Sequence, residues 1–196
     1  MIDMKDIPPE WLDILEEIQV VCPSAVIAGG ALRDLWFGVP VKDIDIFIEC
    51  GGMDEAEGLF KKLGGVMPEK EWSGGLEDVT EAGLYPESMR EVVLVEDYPR
   101  QTEGGLPVQL IFVNWKTHRI TARFDIGICR IATDGNTLIV DEGFEEDAAN
   151  ETLNIRRCNN KWMLGASISR LIRLLKKYPD WKIQLEGVEI KEVDDD

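Results

Sequence analysis

The chain has 196 residues, of which 21 are Lys or Arg and 38 are Asp or Glu, giving a formal net charge of -17. A chain of this length usually forms one domain and buries roughly 70% of the surface of the unfolded chain, so a sizeable core is expected. The charge disfavours general RNA binding, which depends on Lys and Arg, and no apolar stretch approaches the roughly 20 residues of a membrane span.

Cysteine and histidine usage argues against secretion and against a histidine-rich metal site. The N-terminus lacks the basic flank and apolar run of a signal peptide. His118 is the only histidine and is predicted to lie in a loop. The four cysteines are scattered, without a Cys-x-x-Cys pair, and are interpreted as reduced core or near-core residues of a cytoplasmic protein: Cys22, Cys50, Cys129 and Cys158.

The first predicted element is a helix that follows Pro8 and Pro9. Its apolar residues recur at helical spacing, which predicts packing against a sheet: Trp11, Leu12, Ile14, Leu15, Ile18 and Val21. A short buried strand is predicted next, over residues 25–28.

Two glycines, Gly29 and Gly30, follow that strand and precede a predicted helix over residues 31–37. Glycine allows the backbone to turn tightly and to approach a ligand closely. Backbone N–H groups at a helix start attract anions, so this turn is a candidate phosphate cradle. Gly38 and Pro40 end the helix.

A second strand is predicted from Ile44 to Ile48, with Asp43 and Asp45 at its start. Alternation along a strand places both carboxylates on the same side, about 7 Å apart, while the isoleucines enter the core. Such a pair can share two divalent ions, as in-line phosphoryl or nucleotidyl transfer requires. Alone, each motif also fits a turn or a solvated strand end, but their ordered combination favours the functional interpretation.

The segments 29–38 and 42–46, Gly-Gly-Ala-Leu-Arg-Asp-Leu-Trp-Phe-Gly and Lys-Asp-Ile-Asp-Ile, resemble the head domain of bacterial tRNA nucleotidyltransferases (CCA-adding enzymes) and poly(A) polymerases. That family belongs to the DNA polymerase β-like nucleotidyltransferases. The resemblance is specific over about twenty residues and patchy beyond them. Compact solitary domains of this type occur in bacteria and their viruses.

The resemblance implies roles for residues of both segments. Asp43 and Asp45 are the expected catalytic ligands of two Mg²⁺ ions, with Mn²⁺ as a substitute. Gly29, Gly30 and Arg33 match positions that hold the triphosphate of a nucleotide such as ATP, and Asp34 is expected to orient Arg33 or to cap local backbone.

Further elements are predicted along the chain. A helix covers residues 53–63 and is ended by Gly64 and Gly65. Residues 66–105 are interpreted as an insertion around the site entrance, with a strand over 92–95. Strands are expected at 108–113, buried on both faces, at 126–132, and at a sheet edge over 137–140.

Two departures from the family pattern concern the predicted sheet. Gln109 occupies the position where relatives place a third acidic residue, and glutamine is a poor Mg²⁺ ligand that cannot act as a base. Arg123-Phe124-Asp125 replaces the Arg-Arg-Asp motif associated with the nucleotide sugar and is predicted on a strand. Asp125 is therefore a candidate ligand of the ribose or a replacement for the third carboxylate, or simply a charge at a strand's start.

A third departure lies in the segment 166–173, which resembles the family's Glu-Asp-x-x-Arg-x-x-Arg helix. Arg170 and Arg173 are kept on one helix side and are expected to meet the nucleotide. Ala166 and Ser167 replace the two acids that take part in choosing the base, so the base stays open.

Residues 156–182 hold eight Lys and Arg against one acid, Asp180. This segment, Arg156 to Lys182, is either an RNA-binding face or a solvated helix face. The acidic residues 190–196 are interpreted as a frayed tail.

We predict one α/β (α+β) domain over residues 1–196, with a nucleotidyltransferase-type mixed β-sheet flanked by helices. The core spans about 8–150 and a helical C-terminal extension about 151–182. The predicted function is metal-dependent transfer of a nucleoside monophosphate from a nucleoside triphosphate to a hydroxyl of RNA, protein or a small molecule. The alternatives are a catalytically silent nucleotide- or partner-binding protein and an acidic decoy. The oligomeric state is left open.

Overall fold

A computed structural model of the protein describes residues 2–67, 92–158 and 161–185. The predicted acidic tail and most of the predicted insertion lie outside these residues. In the described part of the chain, no helix is long and apolar enough to cross a membrane.

The described ranges contain five helices and eight strands. The helices are α1 (Pro9–Val21), α2 (Gly30–Trp36), α3 (Met53–Lys62), α4 (Glu142–Asn150) and α5 (Lys161–Leu175). The strands are β1 (Val26–Ala28), β2 (Ile44–Glu49), β3 (Val92–Asp97), β4 (Val108–Val113), β5 (Ile131–Thr133), β6 (Leu138–Val140), β7 (Thr152–Asn154) and β8 (Lys182–Gln184). Short 3₁₀ turns occupy Met4–Asp6, Thr117–Arg119, Thr121–Arg123 and Gly127–Cys129.

Six strands form one mixed sheet in the order β3-β4-β2-β1-β5-β6. The β2–β4 pair is parallel, and the other four pairs are antiparallel. Strands β7 and β8 form a separate parallel pair. The predicted α+β class with a mixed sheet flanked by helices is confirmed.

The core forms where the sheet meets the apolar sides of the helices. In β2 the residues from Ile46 to Ile48 are buried on both faces, and in β4 burial is complete except at Gln109. Helix α1 contributes Trp11, Ile14, Leu15 and Ile18 to the same cluster. The helical spacing of the first predicted helix therefore corresponds to its buried side.

The cysteines and the histidine have the burial that the sequence predicts. Cys22, Cys50 and Cys129 are buried and Cys158 is partly buried, and all four are free thiols. His118 is exposed in the 3₁₀ turn Thr117–Arg119.

The predicted strand over residues 126–132 is wrong in its first half. Gly127–Cys129 forms a 3₁₀ turn, and strand structure begins only at Ile131. Asp147 approaches this turn closely, since a Cβ atom on Gly127 would lie 1.8 Å from the Asp147 Oδ2 atom, so only glycine fits there. Continuous apolar character marked burial here but not backbone conformation.

The segment 151–182 contains one helix and parts of two strands. Helix α5 is preceded by β7 and followed by β8. Glu151 connects α4 to the short strand β7, and its φ of 52° places its backbone in the left-handed region. The predicted helical C-terminal extension therefore corresponds to α5, with β7 before it and β8 after it.

Gly29 adopts a backbone conformation that other residues avoid. Its φ is +80°, and an added Cβ would lie 3.1 Å from the Cζ atom of Phe124. We expect Gly29→Ala to lower the free energy of unfolding by about 1–3 kcal/mol because of backbone strain and this contact. Urea denaturation measures the change.

Gly58→Ala is the matched control for Gly29→Ala. Gly58 lies inside α3 with open space around its missing Cβ. Alanine there should raise the free energy of unfolding by roughly 0.5–1 kcal/mol, since it is the better helix former. Equal effects of the two substitutions would contradict a special backbone at Gly29.

Candidate active site

The predicted phosphate cradle lies between β1 and α2. Gly29 precedes the helix, its N–H donates to the Ile131 carbonyl oxygen at 2.9 Å, and its own carbonyl accepts from the Arg33 N–H. No side chain caps the helix start. The first-turn N–H groups, which have no partner within a helix, therefore have no capping oxygen from a side chain.

The two candidate metal-binding carboxylates lie at the start of β2. Asp43 is exposed in the preceding loop, and Asp45 is the second residue of the strand and is partly buried. The antiparallel register pairs Ile27 with Ile46 and, continued by one residue, places Ala28 opposite Asp45. The Gly-Gly turn and the carboxylate pair are therefore neighbours, as the order of the motifs predicted.

Burial and a neighbouring charge shift the pKa of the Asp45 carboxyl. Burial raises this pKa to about 7, and the charge of Asp43 adds to the increase, while Arg33 acts in the opposite direction. A divalent cation stabilises the charged form of a partly buried carboxylate that lies beside a second carboxylate. The donor set therefore fits such an ion.

Gln109 lies beside the carboxylates, as predicted. The parallel register of β2 and β4 places Gln109 directly opposite Asp45, and the register of β3 places Asp97 opposite Gln109. Residues directly opposite share one face of a sheet. Asp97 is therefore an exposed acid on the same face, two strands or roughly 10 Å from Asp45.

The carboxylates nevertheless form a pair and not a larger cluster. Within the ranges that the structure describes, no group of three or more His, Cys, Asp or Glu is arranged to hold a metal ion. Mg²⁺ commonly uses one or two protein carboxylates and completes its shell with water and substrate phosphates. Two carboxylates are thus compatible with the number of protein ligands that Mg²⁺ commonly uses.

Arg33 is buried beneath the glycine turn. Its Nε and Nη2 atoms donate to Asp34 Oδ1 at 2.8 and 2.7 Å, and Nη1 donates to the Cys129 Sγ atom at 3.2 Å. Nη2 would lie 3.7 Å from a Cβ on Gly30. Asp34 thus contacts Arg33, as the sequence suggested, and Arg33 is a fixed positive charge behind the turn.

Asp125 follows Phe124, a residue that lies against the glycine turn, but its own side chain is completely buried. Phe124 lies against Gly29, while the Asp125 carboxylate accepts from Ser167 Oγ and from Arg170 Nη1, both at 2.5 Å. The predicted strand through residues 123–125 is wrong, because Thr121–Arg123 is a 3₁₀ turn and Phe124 and Asp125 have no regular structure. A ribose contact by Asp125 would require these bonds to open.

Arg170 and Arg173 differ in their surroundings although both lie on α5. Arg170 is mostly buried on Asp125, whereas Arg173 is exposed. Other cations of the predicted basic segment are also engaged within the protein: Arg156 pairs with Glu146 and Asp147, and Lys177 pairs with Asp34. Arg173, Lys176 and Lys182 are exposed.

A cavity of about 470 Å³ lies between α4, β7 and β8. Its lining is polar and contains the ion pairs of Arg156: Glu146, Asp147, Asn150, Thr152, Asn154, Arg156 and Gln184. The candidate site residues Gly29, Gly30, Asp43 and Asp45 do not line this cavity.

Sequence reasoning missed three partners of the site residues. In the sequence, Ser167 stands out only as a replacement for an acid of the family motif, yet its hydroxyl donates to Asp125. Lys177 and Tyr178 donate to Asp34 from 143 and 144 residues away. The neighbouring positions of Arg33 and Asp34 were the one local signal of a buried ion pair, and nothing in the sequence identified the distant donors.

The raised pKa of Asp45 predicts pH-dependent stability in chelator-treated protein. A carboxyl that binds its proton more tightly in the folded chain stabilises that chain below about pH 4, and this contribution is lost as pH rises through about 7. When the pH is raised from 5 to 8, the free energy of unfolding of Asp45→Asn should therefore increase by on the order of 2–3 kcal/mol relative to that of wild type. Urea denaturation at both pH values measures it. Exposed Asp13→Asn is the control, and the same pH dependence in Asp45→Asn as in wild type would contradict the prediction.

The different surroundings of Arg170 and Arg173 give a second prediction. Arg170→Met leaves Asp125 charged and buried without its cation, so the free energy of unfolding should fall by about 3–5 kcal/mol. Arg173→Met, on the same helix, should change it by less than about 0.5 kcal/mol. Urea denaturation compares the two, and equal losses would refute the buried pair.

No family model matches the chain, and no curated protein matches its sequence. The fold does match solved structures. A Thermotoga maritima CCA-adding enzyme complexed with tRNA_CCA has a TM-score of 0.58 and 17% identity, over 92% of this chain and 40% of the other. A Bacillus stearothermophilus CCA-adding enzyme in complex with CTP has a TM-score of 0.58 and 16% identity, over 91% and 42%. A CCA-adding enzyme complexed with ATP has a TM-score of 0.57 and 17% identity, over 92% and 41%.

The chain spans less than half the length of these similar structures. The likeness extends over most of this chain, well beyond the twenty residues that carried the sequence resemblance. The protein therefore has the fold of the corresponding part of CCA-adding enzymes.

Proposed function

We propose that the protein is a cytoplasmic, divalent-cation-dependent nucleotidyltransferase that transfers a nucleoside monophosphate from a nucleoside triphosphate to an acceptor hydroxyl and releases pyrophosphate. The observation that carries this proposal is the placement of the Gly29–Gly30 turn directly beside Asp43 and Asp45. A fold found in CCA-adding enzymes that bind ATP and CTP supports it.

In this proposal the triphosphate lies on the turn between β1 and α2. The backbone of Gly29 and Gly30 lets phosphate oxygens approach the N–H groups that open α2, and the helix dipole adds to the attraction. Arg33 acts from beneath the turn as a fixed positive charge, because its guanidinium is engaged by Asp34 and Cys129. Its proposed contribution is therefore electrostatic.

Asp43 and Asp45 are the proposed ligands of Mg²⁺ or Mn²⁺. A bound divalent cation at this pair would activate the acceptor hydroxyl and neutralise charge on the triphosphate. The carboxylates fix the position of that charge next to the phosphates, and the buried part of β2 that follows Asp45 sets the position of its backbone. Gln109 is placed to orient a polar group of nucleotide or acceptor by hydrogen bonding.

Residues of the C-terminal helix are proposed to contribute unequally to nucleotide binding. Asp125 and Arg170 hold α5 in place through their mutual ion pair and through Ser167. Arg173 is the exposed arginine of the two and is the better candidate for contact with a nucleotide or with RNA. An RNA acceptor would meet the segment 156–182 through its exposed cations.

Removal of either carboxylate should abolish transfer. We expect Asp43→Ala and Asp45→Ala to lower the rate at least ~10³-fold, the scale on which loss of charge stabilisation at a reacting phosphate acts. The assay follows α-phosphate label from each of the four ribonucleoside triphosphates into RNA, protein and small-molecule fractions, with Mg²⁺ or Mn²⁺. Exposed Asp13→Ala is the matched control and should keep full activity.

The labelled fraction identifies the acceptor class together with the activity. Full transfer by Asp43→Ala would refute the metal assignment. Triphosphate binding without label in any fraction would instead favour the catalytically silent binding protein.

A further inference from the structure

The end of the C-terminal helix is bonded to the residue that follows Arg33. Lys177 Nζ donates to Asp34 Oδ2, and the Tyr178 hydroxyl lies 3.1 Å from Asp34 Oδ1. Asp34 is 2% exposed, so these bonds are enclosed in the protein. The contact joins the helix that opens at the glycine turn to a segment 143 residues later.

The same Asp34 oxygen that meets Tyr178 also accepts two bonds from Arg33. Arg33 thus donates to the Oδ1 atom of Asp34, and Lys177 donates to its Oδ2 atom. A buried carboxylate with several donors keeps a fixed position. Since Arg33 bonds to that carboxylate through both Nε and Nη2, the position of Asp34 sets the position of the guanidinium.

The charges of these three residues do not cancel. Arg33 and Lys177 carry two positive charges against the one negative charge of Asp34, which leaves one positive charge behind the glycine turn. Without Lys177 the remaining pair would be neutral. Lys177 therefore adds to the attraction for a polyanion that the N–H groups at the start of α2 and Arg33 exert at the turn.

Aromatic packing fixes the segment that carries Lys177. The rings of Phe37 and Tyr178 lie 5.4 Å apart, and the ring of Trp181 lies 4.9 Å from each of them. Phe37 directly follows α2. Lys177 therefore stays beside Asp34 through packing that its own side chain does not supply, and replacing that side chain leaves the packing in place.

We propose that Lys177 is a positioning residue for the triphosphate. By binding Asp34 it holds Arg33 beneath the Gly29–Gly30 turn, and it supplies the net positive charge that favours the triphosphate there. This inference rests on the proposed function, because it assigns Lys177 to the same nucleotide site. It makes the segment after α5 part of the machinery for nucleotide affinity.

The test compares two adjacent lysines in the full chain. Lys177→Met and Lys176→Met each remove one positive charge, but Lys176 is exposed, and only Lys177 contacts Asp34. For Lys177→Met we expect the Kd and KM for Mg²⁺-ATP to rise about 5- to 20-fold with kcat changed less than about twofold, since a nearby charge acts on binding of the polyanion. The difference from wild type should shrink at high salt.

Further variants separate charge from structure. Lys177→Arg should restore most of the affinity, and Tyr178→Phe, which removes a hydrogen bond but no charge, should change Kd less than about threefold. Lys176→Met should leave triphosphate affinity unchanged.

Equal effects of the two lysine variants, or a loss in kcat without a change in Kd, would overturn the role of Lys177 while leaving the proposed function intact. Failure of the wild type to bind or transfer any triphosphate would overturn the proposed function and this inference together.

Discussion

Burial of Arg33 is the constraint on which the structure around the glycine turn depends. A guanidinium removed from water is costly unless a carboxylate compensates its charge, and Asp34, the next residue, does so with two hydrogen bonds. Asp34 is itself buried, and Lys177 and Tyr178 provide its remaining donors. One buried charge in α2 is thus linked through Asp34 to the residues that follow α5.

A second buried carboxylate repeats this arrangement nearby. Asp125 has no exposed surface and is bonded by Ser167 and Arg170 of α5. Its neighbour Phe124 lies against Gly29, so the same short segment contacts the turn and holds the helix. The two carboxylates together tie α5 and the residues after it to the sheet. Polar residues that resemble ligand-binding motifs therefore have a structural function in this protein.

Strand β2 combines two environments within six residues. From Ile46 to Ile48 it is buried on both faces between β1 and β4, whereas Asp43 and Asp45 lie where it emerges from the core. The buried part fixes the backbone, and partial burial of Asp45 raises its pKa. A carboxylate that follows directly on the buried part of a strand has its backbone position set by the core.

The sequence by itself determined the local features of the site. Helical spacing from Trp11 to Ile18 and the glycine pair before α2 depend on neighbouring residues, and the structure places both as expected. The Asp-x-Asp pattern likewise marks the start of β2, where Asp45 is the second residue of the strand. Pattern alone also predicted a strand through Gly127, which lies instead in a turn that Asp147 approaches closely.

Tertiary structure alone decided which charges remain free. Whether Arg170, Arg173 or Lys177 faces solvent depends on carboxylates 45 to 143 residues away, and no local pattern encodes such pairs. The register that places Gln109 between Asp45 and Asp97 likewise arises only when three strands, far apart in the chain, pair in one sheet. Short-range periodicity fixes the elements, whereas the compensation of buried charge fixes their partners, because that compensation requires the folded interior.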